Sequence, residues 1–201
     1  MHSSITRQIE EAIQVHLSLL NESSTLALIE RICSLCRDRL IEGNKIIFAG
    51  NGGSAADSQH LAAEFVSRFD FDRPGLSATA LTTDSSMLTA ISNDYGYEHV
   101  FARQLQAQAR AGDVFVGITT SGKSKNVLRA FEECKKLKVS SVALCGQGGD
   151  LDKLVDYCIQ VPSLHTARIQ ECHILVGHII CSQVERLMFP ELAQASKSAA
   201  C

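Results

Sequence analysis

The chain has 201 residues, 45% of them hydrophobic, enough for one substantial buried core at the upper end of single-domain size. Its 19 Lys and Arg against 22 Asp and Glu give a formal net charge of -3 with no long block of one sign, so no nucleic-acid partner is expected. No run reaches the roughly 18 apolar residues needed to span a bilayer, and the start "MHSSITRQIEEAIQ" lacks a leader pattern, so the expectation is a cytoplasmic protein without a membrane partner.

In chain order, Ile5, Ile9, Ile13, Leu17 and Leu20 recur at spacings of three and four, the mark of an amphipathic helix. A second helical pattern covers about 25 to 41 and stops at Gly43. Two helices before the first strand present an apolar face that a sheet alone does not cover, and this favours a partner subunit. Cys33 and Cys36 form a CxxC, but they sit among helically spaced apolar residues, so they and most of the eight cysteines, which run to Cys201, read as small buried hydrophobes.

The apolar runs "KIIFAG" (45–50), "LSATALT" (76–82), "DVFVGIT" (113–119), "SSVALCG" (140–146) and "YCIQVP" (157–162) read as strands. Helical patterns separate them near 84–92, 97–110 and 124–137, and a long one closes the fold at 166–189. This alternation predicts an α/β fold, a three-layer α/β/α sandwich with a mostly parallel five-stranded sheet. No linker or repeat divides it, so 1–201 reads as one domain, with 1–43 an N-terminal helical extension. The tail after Pro190 looks loosely held.

Two loops suit an anion. "GNGGS" ends the first strand with three glycines within four positions, followed by Ser54 where a helix begins. Glycines let successive N–H groups converge, and a helix N-terminus adds free donors and dipole. The spacing fits neither the dinucleotide nor the P-loop fingerprint. The third strand ends in "TTSGKSKN", where Thr119, Thr120, Ser121 and Ser124 offer hydroxyls ahead of another helix, some of them needed to cap it. Two such loops at strand carboxyl ends form the crevice where open α/β sheets bind ligands, and a sugar phosphate is the natural candidate.

Ionisable groups are carried on two helices. His60 and Glu64 are four apart and share a face; Gln170 and His178 lie a little over two turns apart in "RIQECHILVGHII". Two readings are open. His60, Glu64, Gln170 and His178 offer two nitrogens and two oxygens to a zinc-like ion. Alternatively, Glu64 and His178 act as base and acid, moving a proton between adjacent carbons of a carbonyl sugar phosphate. In "TTDSSMLTAISNDYGYEH", Asp84 and Ser85 read as a helix cap, while Asn93 and Asp94 reach towards sugar hydroxyls. Arg68 and Arg168 are basic groups available to a phosphate or to surface salt bridges.

The segments "GNGGSAADSQHLAAEF", "ALTTDSSMLTAISNDYGY", "GDVFVGITTSGKSKNV" and "ARIQECHILVGHIICSQVE", in this order, closely resemble the sugar isomerase (SIS) domain proteins and, within them, the phosphoheptose isomerases. The resemblance implies conversion of sedoheptulose 7-phosphate to D-glycero-D-manno-heptose 7-phosphate, an aldose-ketose isomerisation that leads to ADP-heptose and lipopolysaccharide core. It implies a homotetramer with active sites at subunit interfaces, to which the N-terminal helices contribute. It makes Glu64 the general base and His178 its acid/base partner. Ser54, Thr119, Ser121 and Ser124 match phosphate-binding positions, with Asn51, Gly52, Gly53 and Thr120 in the cradle and Asp94 and Gln170 on the substrate. His60, Glu64, Gln170 and His178 match the metal positions of zinc-bearing members, one ion per subunit.

The chain departs from that pattern at Ala167, where an aspartate can precede "RIQ", and one sugar contact or relay role is left without a carrier. Thr119 replaces a serine and keeps the hydroxyl. A second reading is a non-catalytic SIS-domain regulator that binds the bacterial replication initiator, suggested by the "ARIQ" run and the "LMFP" ending. Such regulators typically lack the glutamate and second histidine, and both are present here.

Overall fold

The five apolar runs become the strands of one sheet: β1 (Ile46–Gly50), β2 (Ala78–Ala80), β3 (Val114–Thr119), β4 (Ser140–Gly146) and β5 (Tyr157–Val161). The structure is a computed structural model describing residues 2–148 and 150–199, so Cys201 lies outside the described residues. The strand order is β2-β1-β3-β4-β5 and every pairing is parallel, so "mostly parallel" becomes wholly parallel. β1, β3 and most of β4 are buried along their length, as a sheet covered on both faces requires.

Eight helices accompany the sheet among the described residues: α1 (His2–Leu20), α2 (Ser23–Ile41), α3 (Gly53–Val66), α4 (Ser85–Tyr95), α5 (Val100–Gln108), α6 (Lys125–Leu137), α7 (Thr166–Met188) and α8 (Pro190–Ala199). One core joins Ile32 and Cys36 of α2, Leu61 and Phe65 of α3 and Val176 and Val184 of α7 to one face of the strands. The other joins Phe101 and Leu105 of α5 and Val127 and Phe131 of α6 to the opposite face. The sandwich is therefore three-layered. Asp84 caps α4, its carboxylate accepting the Met87 N–H at 2.8 Å. The tail is not loose as far as it is described: Pro190 occupies the first position of α8, where its missing N–H costs nothing, and Ala193 is buried. Among the described residues, no helix is long and apolar enough to cross a membrane.

Cys33, Cys36, Cys134, Cys145, Cys172 and Cys181 are buried free thiols and Cys158 is half-buried. Burial pushes the Cys33 thiol up to about 12, which suits packing better than redox chemistry. α1 packs on α7 through one edge and leaves Ile5, Ile9, Ile13, Leu17 and Leu20 at 42% to 60% exposed.

A buried ion pair ties α7 to the segment that follows α3. Arg73 Nε donates to Glu185 Oε1 of α7 at 2.9 Å, with the two side chains 1% and 0% exposed. The remaining guanidinium donors go to carbonyls of Glu64, Phe65, Ser67 and Pro74, and the Glu185 oxygens accept the N–H groups of Phe69 and Asp70. Removing one partner strands a buried charge, which typically costs about 3–5 kcal/mol. Arg73→Met is expected to lower unfolding free energy by about that amount in urea titrations; a loss within about 1 kcal/mol would show that the loop reorganises around water instead.

His173 on α7 is 1% exposed and, among the described residues, neither ring nitrogen makes a hydrogen bond of good geometry, the Cys145 backbone being a polar group near it. Burial pulls its pKa from 6.5 down to about 4, opposed by the nearby Cys145 backbone. The unfolded chain therefore takes up this proton first. The neutral ring's contribution is fully present above pH 6.5 and is lost as pH falls towards 4. At 1.36 kcal/mol per pH unit, roughly 3 kcal/mol of acid destabilisation belongs to this residue. His173→Leu is expected to flatten the stability profile across that window, read as chemical denaturation at stepped pH; an unchanged slope would assign the loss elsewhere.

Candidate active site

The strand order reverses at β1, whose neighbours are β2 on one side and β3 on the other. The loops after β1 and β3 diverge there to helices on opposite faces, α3 and α6, and leave a crevice at the strand ends. Both anion-suited loops stand at this switch point. Gly52 takes φ +57 at the N-cap of α3, a conformation that L side chains rarely adopt. Having no side chain, it cannot close the helix end. Gly53 opens the helix, and Ser54 is buried with its N–H on the Asn51 carbonyl at 3.0 Å.

In the second loop, Thr119 Oγ1 and Ser124 Oγ are 3.0 Å apart and Ser121 Oγ accepts the Lys123 N–H. The Thr120 carbonyl accepts the Gly146 N–H at 3.1 Å and fastens the loop to β4. The expected hydroxyl cap is absent. Ser124 stands at the N-cap of α6 but makes no side-chain cap bond, and Asn126 Oδ1 accepts the Val127 N–H instead. The Thr119 and Ser124 hydroxyls face each other, and two helix N-termini direct their dipoles at one crevice.

The two loops are joined by a reciprocal amide pair. Asn51 Nδ2 donates to Asn126 Oδ1 at 2.9 Å, Asn126 Nδ2 donates to Asn51 Oδ1 at 2.8 Å, and the Tyr97 hydroxyl donates to Asn51 Oδ1 at 2.9 Å.

The helix pair brings the ionisable groups together. α3 and α7 cross closely at Gly177, where a Cβ would lie 2.6 Å from Leu61 Cδ2, so that any side chain there would force Leu61 to shift. The His60 and His178 Nε2 atoms are 2.8 Å apart, and Glu64 Oε1 lies 3.6 Å from His60 Nε2. Phe69 packs on His178 with ring centroids 5.4 Å apart. The His60 side chain is 46% exposed and that of Glu64 23%. One face of the cluster is therefore open to solvent in the single chain.

The expected zinc site is corrected here. Among the described residues no group of three or more His, Cys, Asp or Glu side chains is placed to hold a metal ion. The physical reason is that the His60 and His178 Nε2 atoms hydrogen-bond each other, so one lone pair is committed to a proton. Gln170 lies against Gly53, its Nε2 2.5 Å from where a Cβ would stand.

Asp94, on α4, is exposed with its carboxylate on Asn93 Nδ2 at 2.9 Å, and no contact joins it to the histidine pair. Arg168 is engaged by Glu171 at 2.6 Å and by the Gln8 carbonyl of α1, so it reads as a tether rather than a phosphate ligand. Arg68 is exposed.

Sequence reasoning missed Asp57, Tyr97 and Asn126. Asp57 precedes His60 by three on α3, a same-face spacing that offered the one available signal. Its Oδ2 is buried without a partner, and burial raises its pKa against the pull of His60 and His178.

Comparison with known proteins now bears on this geometry. Residues 10–146 match the family model described as SIS domain. The phosphoheptose isomerase of Aneurinibacillus thermoaerophilus is 54% identical over 190 residues, spanning 94% of this chain and 96% of that protein. The chain belongs to the SIS-domain phosphoheptose isomerases. Phosphoheptose isomerase 2 of Campylobacter jejuni is also 54% identical, over 94% of each chain. The solved phosphoheptose isomerase of Neisseria gonorrhoeae superposes with a TM-score of 0.85 at 40% identity, covering 92% of this chain and 98% of its own. That of Francisella tularensis gives 0.87 at 34% identity, over 92% and 97%. Nothing in these phosphoheptose isomerase relatives supports the initiator-binding regulator.

Because a Cβ at Gly53 meets only the far end of the Gln170 side chain, Gly53→Ala is expected to move that carboxamide while leaving the melting temperature nearly unchanged. A structure of the variant checks this. Gln170 in its original place with α3 displaced would show that the backbone yields first.

Proposed function

We propose that this phosphoheptose isomerase converts sedoheptulose 7-phosphate to D-glycero-D-manno-heptose 7-phosphate, supplying the heptose of ADP-heptose and lipopolysaccharide core. The observation that carries the chemistry is the contiguous run Glu64, His60, His178, with gaps of 3.6 and 2.8 Å, beside two loops that suit a phosphate. The names of the relatives support the substrate class.

In this reading, the "TTSGKSKN" loop holds the phosphate through Thr119, Thr120, Ser121 and Ser124, joined by Asn51, Gly52, Gly53 and Ser54 of the first loop. Gln170 and Asp94 contact the sugar. Glu64 takes a proton from C1 of the ketose; the C1–H pair forms the C1–C2 double bond of an enediol as the O2 carbonyl takes up a proton. Glu64 then returns a proton to C2 while O1 loses its own, leaving the aldose. His178 carries the proton between O1 and O2. Its partner His60 suits that role, because a hydrogen bond between two imidazoles holds one proton and can lend it in either direction.

The open face of His60 and the exposed apolar stripe of α1 support a homotetramer with its sites between subunits, in which residues 1–43 serve assembly of a single SIS domain spanning 1–201. A soluble intermediate of this kind also suits a cytoplasmic enzyme.

The decisive assay is turnover of sedoheptulose 7-phosphate by purified protein, followed through the aldose product. Glu64→Gln keeps shape and removes the base, so kcat is expected to fall by at least about 10²-fold with assembly unchanged. Near-normal turnover would take the base role from Glu64, and absence of product from the folded wild-type protein would remove the substrate assignment.

A further inference from the structure

The amide pair between the two loops has a fixed polarity, and the polarity has a source. Val127 sits in the first turn of α6, where a backbone N–H needs an acceptor; it is shared between the Ser124 carbonyl and Asn126 Oδ1, each at 3.0 Å. Turning the Asn126 amide over would set its NH₂ against that N–H. Asn126 Oδ1 is therefore held towards α6, and its side chain is only 3% exposed, so water offers no substitute partner.

The consequence passes across the pair. Asn126 Nδ2 must meet an acceptor, which places Asn51 Oδ1 opposite it at 2.8 Å, and the Tyr97 hydroxyl at 2.9 Å fills the second lone pair of that oxygen. Asn51 Nδ2 spends one hydrogen on Asn126 Oδ1 at 2.9 Å. What remains of the Asn51 side chain is one N–H, and the residue stands in the first anion loop. Its amide can donate to a ligand but cannot accept.

We propose that Asn126 is a positioning residue: through this chain of bonds from the α6 backbone it makes Asn51 a pure donor, selective for an unprotonated oxygen of the bound sugar phosphate. The inference rests on the site assignment above and adds the reason for the polarity of one of its contacts. Asn126 does not touch the ligand.

The test replaces the amide by a group whose donor can be switched. In Asn126→Asp an ionised carboxylate opposes Asn51 Oδ1 with a second acceptor, so one of the two bonds of the pair is lost and neither orientation of the Asn51 amide is favoured by it. A protonated carboxyl restores one donor and one acceptor. Lys125 and the α6 N-terminus favour the ionised form, while the facing Asn51 oxygen favours the acid, so the titration is followed down to about pH 5.

Affinity for sedoheptulose 7-phosphate is measured by calorimetry in a Glu64→Gln background, where turnover does not interfere, with and without Asn126→Asp at each pH. Inorganic phosphate serves as the titrant if the sugar does not bind. The ratio of dissociation constants is expected to be about tenfold at high pH and to fall towards one as pH drops. A ratio that is constant with pH, or one throughout, overturns the assignment.

If Asn126→Asp does not fold, Tyr97→Phe removes the other donor to Asn51 Oδ1 from an exposed ring. It is expected to weaken binding by about threefold at unchanged melting temperature, and unchanged affinity overturns the assignment equally. Loss of the heptulose activity in wild-type protein, with the pH-dependent ratio intact, would remove the substrate reading alone.

Discussion

The buried Arg73–Glu185 pair links the end of α3 to α7, the two helices that carry the proposed proton-transfer groups. A charge inside a protein persists only when its donors and acceptors are satisfied, and here nearly every arm of both groups is used on backbone. One of those backbone groups is the carbonyl of Glu64. The pair therefore does more than join a loop to a helix, because it clamps the last turn of the helix that carries the proposed base. Phe69, whose N–H is held by Glu185, is also the ring that packs on His178. A few bonds thus set both ends of the cluster.

The second constraint is the switch point of the sheet. Parallel order β2-β1-β3 sends α3 and α6 to opposite faces while their N-termini start from adjacent strand ends. Each terminus would normally be closed by a side-chain cap. At α3 the cap position is Gly52, with nothing to offer, and at α6 the Ser124 hydroxyl turns to Thr119. The two helix ends are left polar on the crevice side. The reciprocal Asn51–Asn126 amides keep them at a fixed separation without using the outward donors.

Much of this was legible in the residues. The five strands follow from β-branched runs ended by glycine or turn residues, and the observed bounds lie within about two residues of the pattern. The loops "GNGGS" and "TTSGKSKN" stand where the pattern put them, between β1 and α3 and between β3 and α6, because glycine and hydroxyl residues mark a strand-to-helix turn. The zinc set failed for a different reason. Helical spacing puts His60 with Glu64, and Gln170 with His178, on shared faces, but it says nothing about how closely the faces approach. That distance is set by Gly177 against Leu61, and it lets the two imidazoles bond each other. Asn126 was invisible because a first-turn asparagine is ordinary, and its partner lies 75 residues away. Arg73 and Glu185, 112 residues apart, were equally hidden. The segment after Pro190 looked loosely held because the proline's place at a helix start is not evident without the helix.

The charge balance of the cluster constrains how it can work. Glu64 and Asp57 bring two carboxyl groups, the proposed substrate adds a phosphate, and Asp57 sits half-buried near the histidines with its buried Oδ2 unpartnered among the described residues. Burial raises the Asp57 pKa, and a cation on His60 or His178 pulls it back down. The imidazole pair can carry at most one positive charge in this geometry, since two protonated rings would set N–H against N–H across 2.8 Å. In the proposed reaction that single proton is shared beside one carboxyl whose pKa burial raises and another, Glu64, proposed to accept from carbon. In the proposed mechanism two imidazoles sharing that proton release it to one sugar oxygen and recover it from the other, while Glu185 of the buried pair holds Phe69 against the His178 ring.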